Sequence, residues 1–194
     1  MRHLIIFIKN AALGRVKTRL AATVGDVRAL EVYLQLLAIT RKVALEVDCQ
    51  RRLYYSDRVE EEDAWSGAQF DKYVQQGNDL GERMHGAFIA SFAEGASKVI
   101  IVGSDCPELS AGIVEDAFAA LDGHDVVVGP AEDGGYYLLG MRAGYAAFFE
   151  HKGWSTPTVL ADTLVDAERL GLSVALMPML NDIDDEGDLL RSTL

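Results

Sequence analysis

The chain has 194 residues, enough for one α/β domain with a full core and short for two. Hydrophobic residues make up 49% and charged residues 25%, an ordinary globular balance, and the net charge of −12 argues against general nucleic-acid or anionic-membrane binding. No apolar run approaches the ~18–20 residues that span a membrane, and two cysteines, Cys49 and Cys106, do not suggest a disulfide scaffold, so a reduced cytoplasm fits best.

Met1-Arg2-His3 is followed by Leu4 to Ile8. That apolar run is too short for a signal-peptide core and lacks a small-residue cleavage site. It reads as a strand buried on both faces. Asn10 to Gly14 is a loop, and a short helix is expected over Val16 to Ala22. Asp26 reads as the N-cap of a long helix through about Val47, with Leu30, Tyr33, Leu34, Leu37 and Val43 near one stripe. Arg52 to Tyr55 and Tyr73 to Gln75 are strands, and Asp79 to Phe92 is a helix with the loop that leads into it. Val99 to Val102 is the clearest buried strand, stopped by Gly103-Ser104-Asp105-Cys106-Pro107. Ser110 caps a helix to about Leu121. Val126 to Val128 is a strand ended by Gly129-Pro130, and Tyr136 to Gly140 is extended after the Gly134-Gly135 turn. Thr158 to Leu170 is a helix with Gly171 as its stop signal. Val174 to Met177 is a last strand, followed by Asp182-Ile183-Asp184-Asp185. Without repeats or a Pro/Ser-rich linker, this alternation predicts a single domain over 1–194. Its architecture is a three-layer α/β/α sandwich around a mostly parallel sheet.

Ligands of open α/β sheets bind outside the carboxyl ends of the strands. The unusual polar clusters fall at that edge. Residues 1 to 25 carry Arg2, Lys9, Arg15, Lys17 and Arg19 and no acid, which leaves the remaining chain at −17. A compact positive pole suits a phosphate chain, although an exposed basic helix paired with acids would look the same. Gly14 to Leu20 lacks the upstream glycine of a P-loop, and no three-glycine dinucleotide fingerprint follows the first strand. What remains is a loop with Gly14 entering a helix whose first turn carries Lys17 and Thr18, a place that attracts phosphate.

Asp105 directly follows a buried strand, where a carboxylate can bind Mg²⁺ or Mn²⁺ together with phosphate oxygens. The competing reading is a turn residue bonded to local backbone. Cys106, beside Pro107 and with no histidine nearby in sequence, reads as packing rather than a nucleophile. Asp133, before the flexible Gly134-Gly135 pair, can orient a substrate hydroxyl or help at a metal; an ordinary glycine turn is the alternative. Tyr136 and Tyr137 are expected to divide between core and pocket by strand alternation. Arg83 is placed to meet an anion, or to sit on an exposed helix start. The four histidines show no metal-ligand spacing.

In order along the chain, Lys9 with Gly14 to Leu20, Gly77 to Met84, Gly103 to Leu109, Gly129 to Gly140, Trp154-Ser155-Thr156 with Val159-Leu160, and Asp182 to Leu189 resemble a bacterial family of uncharacterised GT-A-like transferases. That family is similar to the molybdenum-cofactor and phospholactate guanylyltransferases. The resemblance implies a nucleotide-diphospho-sugar transferase fold. It implies Asp105 as the principal ligand of a divalent metal and Asp182 or Asp184 as a second. It implies Lys9, Arg15, Lys17 and Arg19 as phosphate contacts. Asn10-Ala11-Ala12-Leu13 lacks the glycine-rich stretch common in nucleotidyltransferases, and the segments around Asp133 and Trp154 depart from the guanylyltransferases.

The expected function is metal-dependent nucleotidyl transfer to a small acceptor. Lys17, Asp105 and Asp133 carry the chemistry, and Lys9, Gly14, Arg15, Lys17, Thr18, Arg19 and Arg83 line the phosphate site. Asp105, Asp182 and Asp184 face the metal. The expected partners are a nucleotide or nucleotide-sugar and a small-molecule acceptor, with no nucleic acid and no membrane. Glycosyl transfer from a nucleotide-sugar is the alternative within the same fold. A non-catalytic nucleotide-binding module is the alternative from another class.

Overall fold

A computed structural model describes residues 1–194. The elements in chain order are β1 (Arg2–Ile8), α1 (Thr18–Val24), α2 (Asp26–Glu46), β2 (Gln50–Tyr55), β3 (Asp71–Val74), α3 (Leu80–Ala93), β4 (Lys98–Val102), α4 (Ala111–Ala120), β5 (Val126–Pro130), β6 (Tyr136–Met141), a 3₁₀ turn (Ala146–Phe148), α5 (Val159–Arg169), β7 (Val174–Leu176) and α6 (Glu186–Arg191). All seven strands join one sheet in the order β3-β2-β1-β4-β6-β5-β7. β1 lies parallel to β2 and β4, whereas β6 runs antiparallel to both β4 and β5. β4 and β5 are therefore not neighbours. The hairpin-like return of β6, entered through Gly134-Gly135, separates them.

The apolar runs explain the layers. Residues of β1 alternate between two cores: Leu4, Ile6 and Ile8 meet Val43, Ala44 and Val47 of α2 together with Val114, Ala117 and Phe118 of α4. Ile5 faces the other way, among Met84, Ala87 and Phe88 of α3 and Ala167 of α5. A strand covered on both faces needs apolar residues at every position, which is why these runs do not alternate in hydropathy. A third, smaller cluster joins Leu20 of α1, Ala29, Val32 and Leu36 of α2, and Ile183. No helix is long and apolar enough to cross a membrane.

The caps sharpen the expected boundaries. Asp79 and Ser110 cap α3 and α4 by accepting hydrogen bonds from Glu82 N and Ile113 N. Asp26 is not the cap of α2: Gly25 holds that position and Asp26 is the first helical residue, where a carboxylate still favours the helix dipole. α1 begins two residues later than the sequence suggested, because Lys17 is left-handed (φ 48°, ψ 46°) and cannot be helical. Asp188 completes a capping box with Asp185 at the start of α6. Its Oδ2 accepts from Asp184 N at 2.9 Å and Asp185 N at 3.0 Å, which fixes the turn after Ile183.

Candidate active site

Two side chains shape the loop after β1. The phenol of Tyr33, from α2, accepts from Lys9 N at 2.8 Å and donates to Lys9 O at 2.9 Å. Burial and the nearby Asp105 push that phenol up to about 12, against the pull of hydrogen bonds from Ser104 and Lys9, so it stays protonated and able to donate. Buried Asn10 is a hub: its Oδ1 accepts from Asp57 N at 3.0 Å, and its Nδ2 donates to Arg58 O at 2.9 Å. The chain then rises through Gly14 (φ 71°), where an added Cβ would sit 3.4 Å from Asp26 Oδ2.

Lys17 is the centre of the arrangement. Its side chain is only 5% exposed, and its Nζ lies 2.5 Å from Asp105 Oδ1 and 3.9 Å from Asp184 Oδ1. It also donates to Ile183 O at 2.7 Å. A left-handed non-glycine residue costs of order 1–3 kcal/mol, and these contacts offset it. Arg19 is exposed and pairs with Asp184 Oδ2 at 3.2 Å.

The acids arrive from two directions. Asp105 leaves the end of β4. Ile183 N donates to Asp105 O at 3.0 Å, and the fully buried Ile183 side chain plugs the α1–α2 cluster. In extended backbone, residues on either side of an inward side chain face outward together. Asp182 and Asp184 therefore flank the Ile183 anchor. Burial, and then the charges of Asp105 and Asp133, raise the Asp182 carboxyl to about 7 despite Lys17. Its Oδ1 is buried with no hydrogen-bond partner. Asp133 is held by its own turn, Oδ1 accepting from Gly135 N at 2.8 Å. No three His, Cys, Asp or Glu side chains are gathered closely enough to hold a metal by themselves.

The remaining sequence candidates scatter. Arg2, counted in the positive pole, sits at the opposite end of β1 and pairs with Glu115 Oε2 at 2.6 Å. The pole is thus not one patch. Lys9 and Arg15 are exposed on the loop, and Thr18 is exposed at the first position of α1. Arg83 reaches back to Gly77 O at 3.1 Å. Burial pushes the Cys106 thiol up to about 12, with the neighbouring Asp182 adding to it, so it is no nucleophile near neutral pH. Tyr136 and Tyr137 do not divide between core and pocket. They enter opposite core layers, because successive strand residues face opposite sides and both sides of this sheet are covered.

Sequence reasoning missed Asn10, the polar role of Tyr33, and the anchor Ile183. It also left Trp154-Ser155-Thr156 unplaced. That segment leads into Pro157, which lies against Gly134 so closely that a Cβ there would overlap the Pro157 backbone. Leu160 N donates to Gly134 O at 3.0 Å, and Ser155 is left-handed (φ 61°). The Trp154 motif is thus docked beside the Asp133 turn. In a separate concavity lined by His151, Lys152, Asp166 and Arg169, both cations are already paired, since Asp166 meets Lys152 (2.7 Å) and Arg169 (2.9 Å).

The family described as "Uncharacterized protein conserved in bacteria (DUF2064)" matches residues 38–156. A protein of Desulfovibrio desulfuricans G20, provisionally named a nucleotide-diphospho-sugar transferase, is 32% identical, with a TM-score of 0.91 over 97% of this chain and 84% of that one. The inositol-1-phosphate CTP transferase of T. maritima shares the fold at 16% identity and a TM-score of 0.57, over 97% of this chain and 91% of that one. Rv0371c of Mycobacterium tuberculosis H37Rv, in complex with manganese, does so at 14% identity and a TM-score of 0.54, over 98% and 96%. No protein of curated function matches the chain.

Proposed function

We propose, for a chain that belongs to the DUF2064 family of bacterial proteins, that it is a metal-dependent transferase acting on a nucleotide, with nucleotidyl transfer to a small acceptor as its reaction. The observation that carries this reading is the juxtaposition of Lys17, Asp105, Asp182 and Asp184 at the carboxyl edge of β1 and β4, where α/β sheets bind ligands.

The donor set fits a divalent metal. Asp182 presents a buried carboxylate oxygen that no protein donor satisfies, and a buried, unpaired carboxylate calls for a cation. Mg²⁺ binds through one or two carboxylates and completes its shell with water and substrate phosphates, so a third protein ligand is not required. Asp105 and Asp182 would hold the ion, with Asp184 beside them. When bound, the metal would neutralise charge developing on the phosphates in the transition state. Lys17 adds a point charge to the same phosphates, and exposed Lys9, Arg15 and Arg19 border them. Asp133 orients the acceptor hydroxyl. An acceptor oxygen attacks the α-phosphorus, its bond to the bridging oxygen breaks, and pyrophosphate leaves while the acceptor proton passes to solvent or a carboxylate. Catalysis is then positional and electrostatic, with no covalent intermediate.

The likeness to the inositol-1-phosphate CTP transferase of T. maritima supports nucleotidyl transfer. The provisional name of the Desulfovibrio protein favours a second reading, glycosyl transfer from a nucleotide-sugar, in which nucleoside diphosphate leaves. The test is a screen of the four nucleoside triphosphates and common nucleotide-sugars against phosphorylated and hydroxylated acceptors with Mg²⁺, read by phosphorus NMR. Pyrophosphate as co-product is the expected result. Nucleoside diphosphate as sole co-product, formed only from a nucleotide-sugar and an acceptor, would replace the first reading with the second.

A further inference from the structure

Lys17 belongs to the cationic loop by sequence and to the acid cluster by position. Its ammonium is nearly buried, with Asp105 Oδ1 at 2.5 Å, Ile183 O at 2.7 Å and Asp184 Oδ1 at 3.9 Å around it. Carboxylates and a main-chain carbonyl are also the oxygens that a hard divalent cation selects. An ammonium and a divalent ion cannot share such a position, because their repulsion at a few ångströms in a half-buried site is large. The backbone points the same way. Lys17 is one of three non-glycine residues with positive φ, and it is held there while its side chain reaches the acids. Arg19, two residues on, is 71% exposed and pairs only at the rim, so the loop commits a single cation to the interior.

We propose that Lys17 is a place-holding counter-ion. In the free protein its ammonium occupies the cation position of the acid cluster, and a divalent metal enters only when Lys17 leaves that position for a phosphate chain. This rests on reading the cluster as the metal site of a nucleotide-utilising transferase. Exchange of one cation for another keeps a positive charge against Asp105 and Asp184 throughout, and the departing ammonium finds a new anion in the arriving phosphates. Metal and nucleotide then bind as a coupled pair, each raising the affinity for the other by the same factor. Lys17 is in this respect a positioning residue for the metal as well as a phosphate contact.

The experiment titrates Mn²⁺ into the protein without nucleotide and reads free Mn²⁺ by electron paramagnetic resonance. Lys17→Met keeps the unbranched stem of the side chain and removes its charged end. It is expected to bind Mn²⁺ about tenfold or more tightly than wild type, a factor typical of coupled sites. Adding Asp105→Asn to that variant is expected to remove the gain. Mn²⁺ binding no tighter in Lys17→Met overturns the proposal, as does a gain that survives Asp105→Asn. Neither outcome touches the proposed reaction, whose failure is the absence of any metal-dependent transfer in the product screen. Should Lys17→Met not fold, Lys17→Arg supplies the reading: its charge stays and its fork grips a carboxylate with two hydrogen bonds. Mn²⁺ should then bind more weakly than in wild type, and binding that is equal or tighter overturns the proposal.

Discussion

Single side chains carry the site, and two of them can be tested separately from the fold. Asp105 is half-exposed in a loop, with 47% of its side chain open to solvent, but its partner Lys17 is only 5% exposed, so Asp105→Asn should leave the protein folded at a cost of about 1–3 kcal/mol. Metal-dependent nucleotide binding should fall by about tenfold or more, in line with the loss of a charged ligand. Calorimetry of nucleotide binding with and without Mn²⁺ gives the answer, and an unchanged metal dependence in a folded variant removes Asp105 from the metal site. Tyr33 is a different kind of residue. Its ring is core, but its hydroxyl satisfies both polar groups of the Lys9 backbone. Tyr33→Phe should therefore cost about 1–3 kcal/mol, the penalty for leaving buried polar groups unpaired. Urea unfolding at neutral pH measures it. A midpoint equal to wild type would show that water replaces the phenol. Helical periodicity placed Tyr33 near the apolar stripe of α2 correctly. It could not show what the far end of a long ring touches, because that depends on a loop elsewhere in the sequence.

At the scale of elements, the turns decide how the chemical groups meet. Gly134 is left-handed (φ 87°), and a Cβ at that position would overlap the backbone of Pro157. Gly134→Ala should thus destabilise by about 1–3 kcal/mol through backbone strain, and it should loosen the Trp154–Thr158 segment. Gly123→Ala is the control: its added Cβ meets nothing within 4 Å. Thermal melting together with limited proteolysis between residues 150 and 160 distinguishes them. Equal melting and equal cleavage for the two variants would mean that the segment is not docked through Gly134. The same reasoning shows what was legible in the sequence. Val99 to Val102 and Val126 to Val128 were readable as buried strands from their apolar runs, and both reappear as β4 and β5. Their relative order was not readable, since an apolar run does not reveal its partner and β6 inserts between them in the opposite direction. Asp182 and Asp184 were singled out by resemblance, whereas their anchoring by Ile183 depends on a small core built from α1 and α2. Arg2 was misjudged because proximity in sequence to Lys9 puts it seven residues away along β1, at the other end of the sheet.

The whole molecule carries a net charge of −12, yet its response to mild acid should begin with a base. His3 is fully buried on β1, with neither ring nitrogen hydrogen-bonded. Burial lowers its pKa from the ordinary 6.5, and the charge of Arg52 lowers it further, against opposing contributions from Glu94 and Gln50 and a small lowering from the N-terminal ammonium. The folded protein therefore holds His3 neutral where the unfolded chain binds a proton. Stability from this source is complete above pH 6.5 and is lost as the pH falls from there through the lower folded value. The slope is at most about 1.4 kcal/mol per pH unit for one proton. The carboxylates held below their ordinary range act later. Glu115, hydrogen-bonded to Arg2, is held below its ordinary 4.5, so its contribution persists above that value and is lost only on further acidification. The two causes occupy different windows and can be separated. Between pH 7.5 and 5.0 the raised Asp182 carboxyl adds stability as it protonates, so the His3 effect is read as a difference: urea midpoints of wild type should drop relative to those of His3→Gln, which cannot titrate, while below pH 4.5 the two curves should decline together. Parallel curves between pH 7.5 and 5.0 would show that His3 does not set the upper limb, and that acid sensitivity in this acidic protein resides in its carboxylates alone.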